Sequence, residues 1–296
     1  KTITKISLAM NLLKIKSNIA FALLITLMFA LTACDPQDGM EDAIAEEEID
    51  LVELESEVSG TMDDIEEFAF EAMEVTDPSS FARSFPNASA RAIPACATVT
   101  HDSTAKTILI DFGTGCVGPD GKTRSGQLLI TYTMRLYRPG ATLSLASISY
   151  AVNGVSVEGT KTITNVSASF QDNLSLNVSL PDGKLTFPNG DTVTRVVDKT
   201  YTWVRAANPA LDEFHVDGSI QGNNRAGETY NCQILSTLIW KRKCKRLGIR
   251  IPVEGTKLIQ KGSRPDLTAD FGDGTCDHLI TLSANGNSRV IDLSQR

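Results

Sequence analysis

Short stretches that alternate apolar and polar residues, separated by turn sequences, constrain the fold of this chain of 296 residues more than any other feature. Residues 128–136 and 174–180 place an apolar residue at every second position, the period of a β-strand with one buried face. Pairs such as Asn153-Gly154 recur between these stretches and supply the positive φ angles of tight hairpins. Because hairpins join antiparallel strands, we predict an all-β domain, an antiparallel, hairpin-rich meander that forms a sandwich or a long curved sheet.

The acidic residues are concentrated before this β region. Residues 35–77 contain 18 of the 36 Asp and Glu residues and no Lys or Arg, so the formal net charge of -8 originates in this block. From residue 78 onward, 24 Lys and Arg outnumber 18 Asp and Glu. A run of like charges repels itself and remains solvated, which predicts an extended spacer before a mildly basic folded body.

These patterns suggest a division of the chain into three parts. We predict a signal peptide at 1–33, an acidic tether at 34–90 and a β-domain at 91–296, the last as one unit or as two related subdomains. Within the tether, Thr61 can cap a helix over about 61–76. The helix would be amphipathic, because one of its faces is apolar: Met62, Ile65, Ala69, Ala72 and Met73.

The first residues have the layout of an export signal. Two lysines precede a thirteen-residue apolar run at 19–31, and Leu-Thr-Ala-Cys occupies 31–34. Thirteen residues span only about 20 Å as a helix, less than the roughly 30 Å hydrocarbon core of a bilayer, which favours a cleaved signal over a spanning anchor. Residues 1–9 precede Met10 and would lie upstream of the true start.

The ending Leu-Thr-Ala-Cys resembles the lipobox of bacterial lipoproteins, and the acidic block after it is similar to that of uncharacterised Bacteroidetes-type envelope and surface lipoproteins. The resemblance implies cleavage before Cys34 and acylation of Cys34 with palmitate-like chains. It also implies a lipid-anchored location in the cell envelope, on the periplasmic or the surface-exposed face of the outer membrane. Each buried methylene contributes about 0.8 kcal/mol, so two or three chains give durable anchoring. The resemblance implies no activity.

The remaining cysteines suggest disulfides, which are common in exported proteins. Residues 110–116 and 270–276 are near copies, and each ends in a cysteine after a glycine-rich turn. The matching surroundings of Cys116 and Cys276 suggest that each pairs with a cysteine in an equivalent position, which leaves Cys232 without a disulfide. In the alternative pairing, Cys232 is bonded to Cys244. No two of these cysteines lie two to four residues apart, so we expect no metal site and no cofactor. The disulfides that we predict are Cys96–Cys116 and Cys244–Cys276.

Candidate ligand-binding residues fall into a basic run and an aromatic pair. Tyr201 and Trp203 alternate with threonines, so they share one face and could stack on a sugar, although core packing is the more common role of such residues. The basic run could bind an anionic glycan, lipopolysaccharide or the chain's own acidic tether, although a solvated loop is the more common explanation of such a run. None of the three histidines lies in a nucleophile or metal-ligand motif, so we predict no catalytic residue. The basic run consists of Lys241, Arg242, Lys243, Lys245 and Arg246.

Together these features predict a lipid-anchored envelope lipoprotein that acts as a non-catalytic binding or structural module. Its expected partners are the membrane, through the lipid anchor, and a glycan or an outer-membrane protein. One alternative is an accessory subunit of an outer-membrane complex. A second is a glycan-acting enzyme with paired carboxylates, a site that requires no sequence motif. Nucleic acid is not expected as a partner at the envelope.

Overall fold

The computed structural model describes residues 58, 61, 62, 65, 66, 68–73, 76, 93–249 and 251–295. All of these residues belong to one compact unit, Ala43–Arg296. The predicted signal peptide, the lipidation site Cys34 and most of the acidic tether lie outside the described residues. Within the described part of the chain, no helix has both the length and the apolar character needed to cross a bilayer.

Fifteen strands account for most of the described residues. The first seven are β1 (Thr98–Asp102), β2 (Thr107–Asp111), β3 (Cys116–Val117), β4 (Thr123–Tyr132), β5 (Thr142–Val152), β6 (Val155–Glu158) and β7 (Thr160–Asn165). The others are β8 (Leu174–Thr186), β9 (Thr192–Val204), β10 (Glu213–Asn223), β11 (Thr229–Lys241), β12 (Glu254–Lys261), β13 (Leu267–Asp273), β14 (Leu279–Ala284) and β15 (Asn287–Asp292). A short α-helix forms Arg242–Arg246, and single 3-10 turns form Pro209–Leu211 and Leu293–Gln295.

The strands pair antiparallel in an order that follows the chain. The path is β1-β2-β4-β5-β6-β8-β9-β10-β11-β12-β13-β14-β15, with β3 on β4 and β7 between β5 and β8. The predicted all-β, antiparallel fold is therefore confirmed. The pairing is continuous from β1 to β15, so the strands form one sheet and are not divided between two separately paired sheets.

One face of the sheet is buried, and we name it the inner face. Ile108, Ile130 and Leu145 lie opposite one another on β2, β4 and β5, and all three are buried. This arrangement follows from the two-residue period, since a shift by one residue would expose the whole apolar set. The largest fully buried side chains are Tyr150, Ile108, Ile110, Leu128, Ile130, Leu136, Leu143, Ile163, Leu185, Ile259 and Leu267.

Helical residues between 58 and 76, which we name the N-terminal helix, are part of this core. Their apolar residues recur every three or four positions and are buried in the same cluster as the strands. The ring of Phe68 contacts Phe112 edge-on, with 5.3 Å between centroids. This part of the acidic block is therefore packed and not a solvated spacer. The buried apolar residues of the helix are Val58, Met62, Ile65, Phe68, Ala69, Ala72 and Met73.

The N-terminal helix also contacts buried cations of the sheet. Lys161 on β7 donates hydrogen bonds to the Met62 carbonyl oxygen at 2.9 Å and to Oε1 of Glu66 at 2.6 Å. The Arg124 guanidinium on β4 lies 4.9 Å from the centroid of the Phe68 ring. A buried charge is costly unless it is paired, so the acidic helix offsets the cost of placing positive charge on this face. Two further cations, Arg195 and Lys257, are buried in β9 and β12.

Both predicted disulfides, Cys96–Cys116 and Cys244–Cys276, are present. Their Cα atoms lie 5.7 and 5.1 Å apart. Cys232 is a buried thiol on β11 and belongs to neither bond. The alternative pairing of Cys232 with Cys244 is therefore wrong, because Cys244 points to Cys276 in the next loop.

Replacing Cys96 and Cys116 together with alanine should lower the free energy of unfolding by about 3 kcal/mol. The bond closes a loop with a sequence separation of 20 residues, and the chain-entropy model gives about that value for this length. Urea unfolding followed by circular dichroism measures the change. The oxidised wild-type protein serves as the reference, and a double variant of equal stability would contradict the prediction.

Candidate functional site

The two ends of the sheet differ in their connections. Turns of two to five residues form one end, whereas loops of eight residues or more follow β4, β7, β9 and β11, and a five-residue loop follows β13. Because neighbouring strands are antiparallel, these five strands run in the same direction and their loops meet at the same end. We name this end the loop end. It comprises the loops 133–141, 166–173, 205–212, 242–249 and 274–278.

The predicted basic run lies at the loop end. It begins at Lys241, the last residue of β11, and continues through the short helix Arg242–Arg246. Cys244 faces inward and its disulfide ties the helix to the neighbouring loop. The last residues of the helix, apart from Cys244, are exposed next to Leu247, which is 71% exposed. The exposed cations of the helix are Lys243, Lys245 and Arg246.

Lys241 and Arg242 instead connect loops to one another. Nζ of Lys241 lies 3.6 Å from Oε2 of Glu254 and donates a hydrogen bond to the Gly274 carbonyl oxygen at 3.1 Å. Nη1 of Arg242 lies 3.4 Å from Oδ2 of Asp212. These two cations therefore connect neighbouring loops, and the exposed part of the predicted run is limited to Lys243, Lys245 and Arg246.

The predicted aromatic pair faces the core. Trp203 is only 6% exposed and stacks on Phe214, with 6.2 Å between ring centroids. The Arg205 guanidinium lies 4.8 Å from the centroid of the Trp203 ring. Tyr201 is partly buried against the same core. Trp203 therefore packs in the core, the more common role for such a residue, and does not form the sugar-stacking surface that was the alternative.

Asp212 is a buried carboxylate that no sequence pattern marked as a candidate. Oδ2 accepts a hydrogen bond from Nε1 of Trp203 at 3.0 Å, and Oδ1 accepts one from the Ala206 amide at 2.9 Å. Together with the Arg242 contact, these bonds join two loops to the end of β9. Asp212 thus positions the short basic helix relative to the sheet.

A second cluster at the loop end was also missed by the sequence analysis. The rings of Tyr137 and Phe170 lie 6.3 Å apart between centroids, and Phe170 is 60% exposed. Hydrogen bonds from the Arg135 and Arg138 guanidinium groups lower the pKa of the Tyr137 hydroxyl below its ordinary value. The sequence signal is the short run Arg-Leu-Tyr-Arg at 135–138, but Phe170 comes from a different hairpin.

The described residues show no arrangement that suggests a metal centre. Among them, no three His, Cys, Asp or Glu side chains lie close enough together to hold a metal ion. Of the histidines, His101 contacts the Tyr132 hydroxyl at 2.7 Å and His215 contacts Glu213 at 2.9 Å. No protein-family model, curated protein or solved structure matches the chain. The site is therefore interpreted from its geometry.

Proposed function

We propose that this protein is a lipid-anchored envelope lipoprotein whose β-domain is a non-catalytic binding module for an anionic glycan. The observation that carries the proposal is the group of exposed cations at the loop end: Lys243, Lys245 and Arg246. They project from one short helix beside an exposed leucine, and a disulfide fixes that helix to the sheet. Cations held on a rigid scaffold attract anionic partners and need little further ordering to bind them.

The envelope location is supported by two independent features. The lipobox-like ending at Cys34 supplies the site for acylation. The two disulfides fit an oxidising compartment, since such bonds are rare in the cytosol of most organisms. A glycan is the proposed ligand class because negatively charged polysaccharides are abundant outside the cell membrane and exposed cations attract them.

The experiment measures binding of the full mature chain, in detergent, to dextran sulfate and to neutral dextran. We expect binding to the sulfated polymer only, with an affinity that falls as salt is added. The triple variant Lys243→Gln, Lys245→Gln and Arg246→Gln should lose about tenfold in affinity, because each exposed ion pair contributes about 0.5 kcal/mol.

A matched control removes the same amount of charge elsewhere in the described chain. Lys122→Gln, Lys184→Gln and Arg289→Gln lie away from the loop end and should leave the affinity for dextran sulfate within about twofold of wild type. Equal losses in the two triple variants would mean that net charge, and not the loop end, governs binding. Absence of binding together with recovery of a stoichiometric membrane-protein partner would support the accessory-subunit alternative instead.

A further inference from the structure

The aromatic and cationic residues of the second cluster combine two kinds of recognition chemistry. We name Arg135, Tyr137, Arg138 and Phe170 the Tyr137–Phe170 cluster. Phe170 exposes most of its ring to solvent beside the Tyr137 ring. An isolated exposed aromatic residue needs no explanation in a folded protein. Here, however, the exposed residues Arg135 and Arg138 flank Tyr137 in the same loop, so a flat apolar surface lies next to two planar cations.

The loops that carry the cluster are fixed by a buried asparagine. Asn165, the last residue of β7, donates from Nδ2 to the Leu136 carbonyl oxygen at 2.7 Å. Its own carbonyl oxygen accepts a hydrogen bond from the Gly140 amide at 2.8 Å. Its Oδ1 accepts one from the Ser167 amide at 2.9 Å, which also fixes the second loop. A single residue thus hydrogen-bonds to both of the loops that carry Tyr137 and Phe170.

Buried apolar residues also anchor the loop 133–141, which carries Tyr137. Leu136 and Ala141 are fully buried on either side of the exposed Arg138. The backbone between them therefore has little freedom to move. A ligand that contacts this loop meets a surface that is already formed, and the entropy cost of binding is correspondingly small.

We propose that the Tyr137–Phe170 cluster is a subsite for a carboxylated sugar, of the hexuronate class. This inference rests on the proposed glycan-binding function and names the sugar chemistry that the loop end would recognise. The apolar face of a pyranose ring would lie on Phe170, and its carboxylate would be held by Arg135 and Arg138. A guanidinium group can donate two parallel hydrogen bonds to one carboxylate in a planar arrangement, which the lysine ammonium group cannot do. A neutral sugar would contact only the Phe170 ring, and a small anion without a sugar ring would contact only Arg135 and Arg138.

The test uses isothermal titration calorimetry of the full mature chain with trigalacturonate and with its fully methyl-esterified form. The two ligands share their rings and differ in charge, so they separate the two parts of the subsite. We expect the acid to bind at least tenfold more tightly than the ester. The variant Arg135→Gln, Arg138→Gln should remove this preference, whereas Phe170→Ala should weaken binding of both ligands by a similar factor of about five to ten.

The controls distinguish this inference from the broader proposal. The variant Lys243→Gln, Lys245→Gln and Arg246→Gln should retain the preference for the acid, because its substitutions lie on another loop. Circular dichroism must show that each variant is folded, which is expected for changes at exposed side chains. Equal affinity for acid and ester, or an arginine variant that binds like wild type, would overturn the subsite while leaving dextran sulfate binding unaffected.

A lipid surface is the alternative occupant, and a further arm of the experiment tests it. Vesicles of phosphatidylcholine with one-third phosphatidylglycerol are offered to the same variants in a sedimentation assay. The subsite proposal predicts vesicle binding that is unchanged by Arg135→Gln, Arg138→Gln. Loss of vesicle binding in this variant, together with no calorimetric signal for trigalacturonate, would assign the cluster to membrane contact and overturn the sugar subsite.

Discussion

Phe68→Ala is expected to lower the free energy of unfolding by about 3 to 5 kcal/mol. Phe68 lies on the N-terminal helix, is 3% exposed and contacts Phe112 edge-on. Its ring also covers the Arg124 guanidinium at 4.9 Å. Alanine would therefore leave a cavity between helix and sheet and remove both an aromatic pair and a cation–π contact.

Urea unfolding of the full chain, followed by circular dichroism, measures this loss. Phe170→Ala is the matched control, because it removes the same side chain from an exposed position and should change stability by no more than about 0.5 kcal/mol. Equal stability of the two variants would show that the N-terminal helix contributes nothing to the core in solution.

Lys161→Met is expected to destabilise the protein by a similar amount, about 3 to 5 kcal/mol. The Lys161 side chain is 5% exposed, and its partner Glu66 is 13% exposed. Methionine would preserve most of the volume but leave the Glu66 carboxylate buried without its counterion. Removal of one partner of a buried pair is costly for this reason, even where the pair itself adds little net stability.

The double variant Lys161→Met, Glu66→Met separates the net contribution of the ion pair from the cost of burying one charge without its counterion. Replacing both partners with apolar residues of similar size is close to neutral, so most of the stability should return. Lys184→Met provides an exposed reference, because its pair with Glu158 is 3.5 Å long and both side chains are largely exposed. Its effect should stay below about 1 kcal/mol. A double variant as unstable as Lys161→Met would contradict the assigned role of the charge pair.

The sheet could be predicted from sequence because its signals are local. Alternation over a few residues determines which side chains of β4 or β8 are buried, and Asn-Gly pairs such as Asn153-Gly154 mark where the chain turns. The pairs Asp182-Gly183 and Asp217-Gly218, which also predicted turns, instead lie within β8 and β10, where the strand pairing is irregular. The disulfides could also be predicted, because a near-copied segment marked Cys116 and Cys276 as equivalent.

The helix–sheet contact could not be predicted in the same way. A run of acidic residues is expected to repel itself and stay solvated when only residues adjacent in sequence are considered. The lysine that pairs with Glu66 lies 95 residues further along the chain. Asp212 and the Tyr137–Phe170 cluster were missed partly for a related reason, since Arg242 and Phe170 come from other hairpins. The burial of Trp203 depended on which face of the sheet is covered, which alternation alone does not specify.

The order of the strands has a consequence for how the chain reaches its native state. Nearly every strand pairs with its neighbour in sequence, so hairpins can form early and extend the sheet one after another. The N-terminal helix is different, because its anchor on β7 does not exist until the first part of the sheet has assembled. The segment that is synthesised before the sheet is thus expected to dock late, closing the core over strands that are already paired.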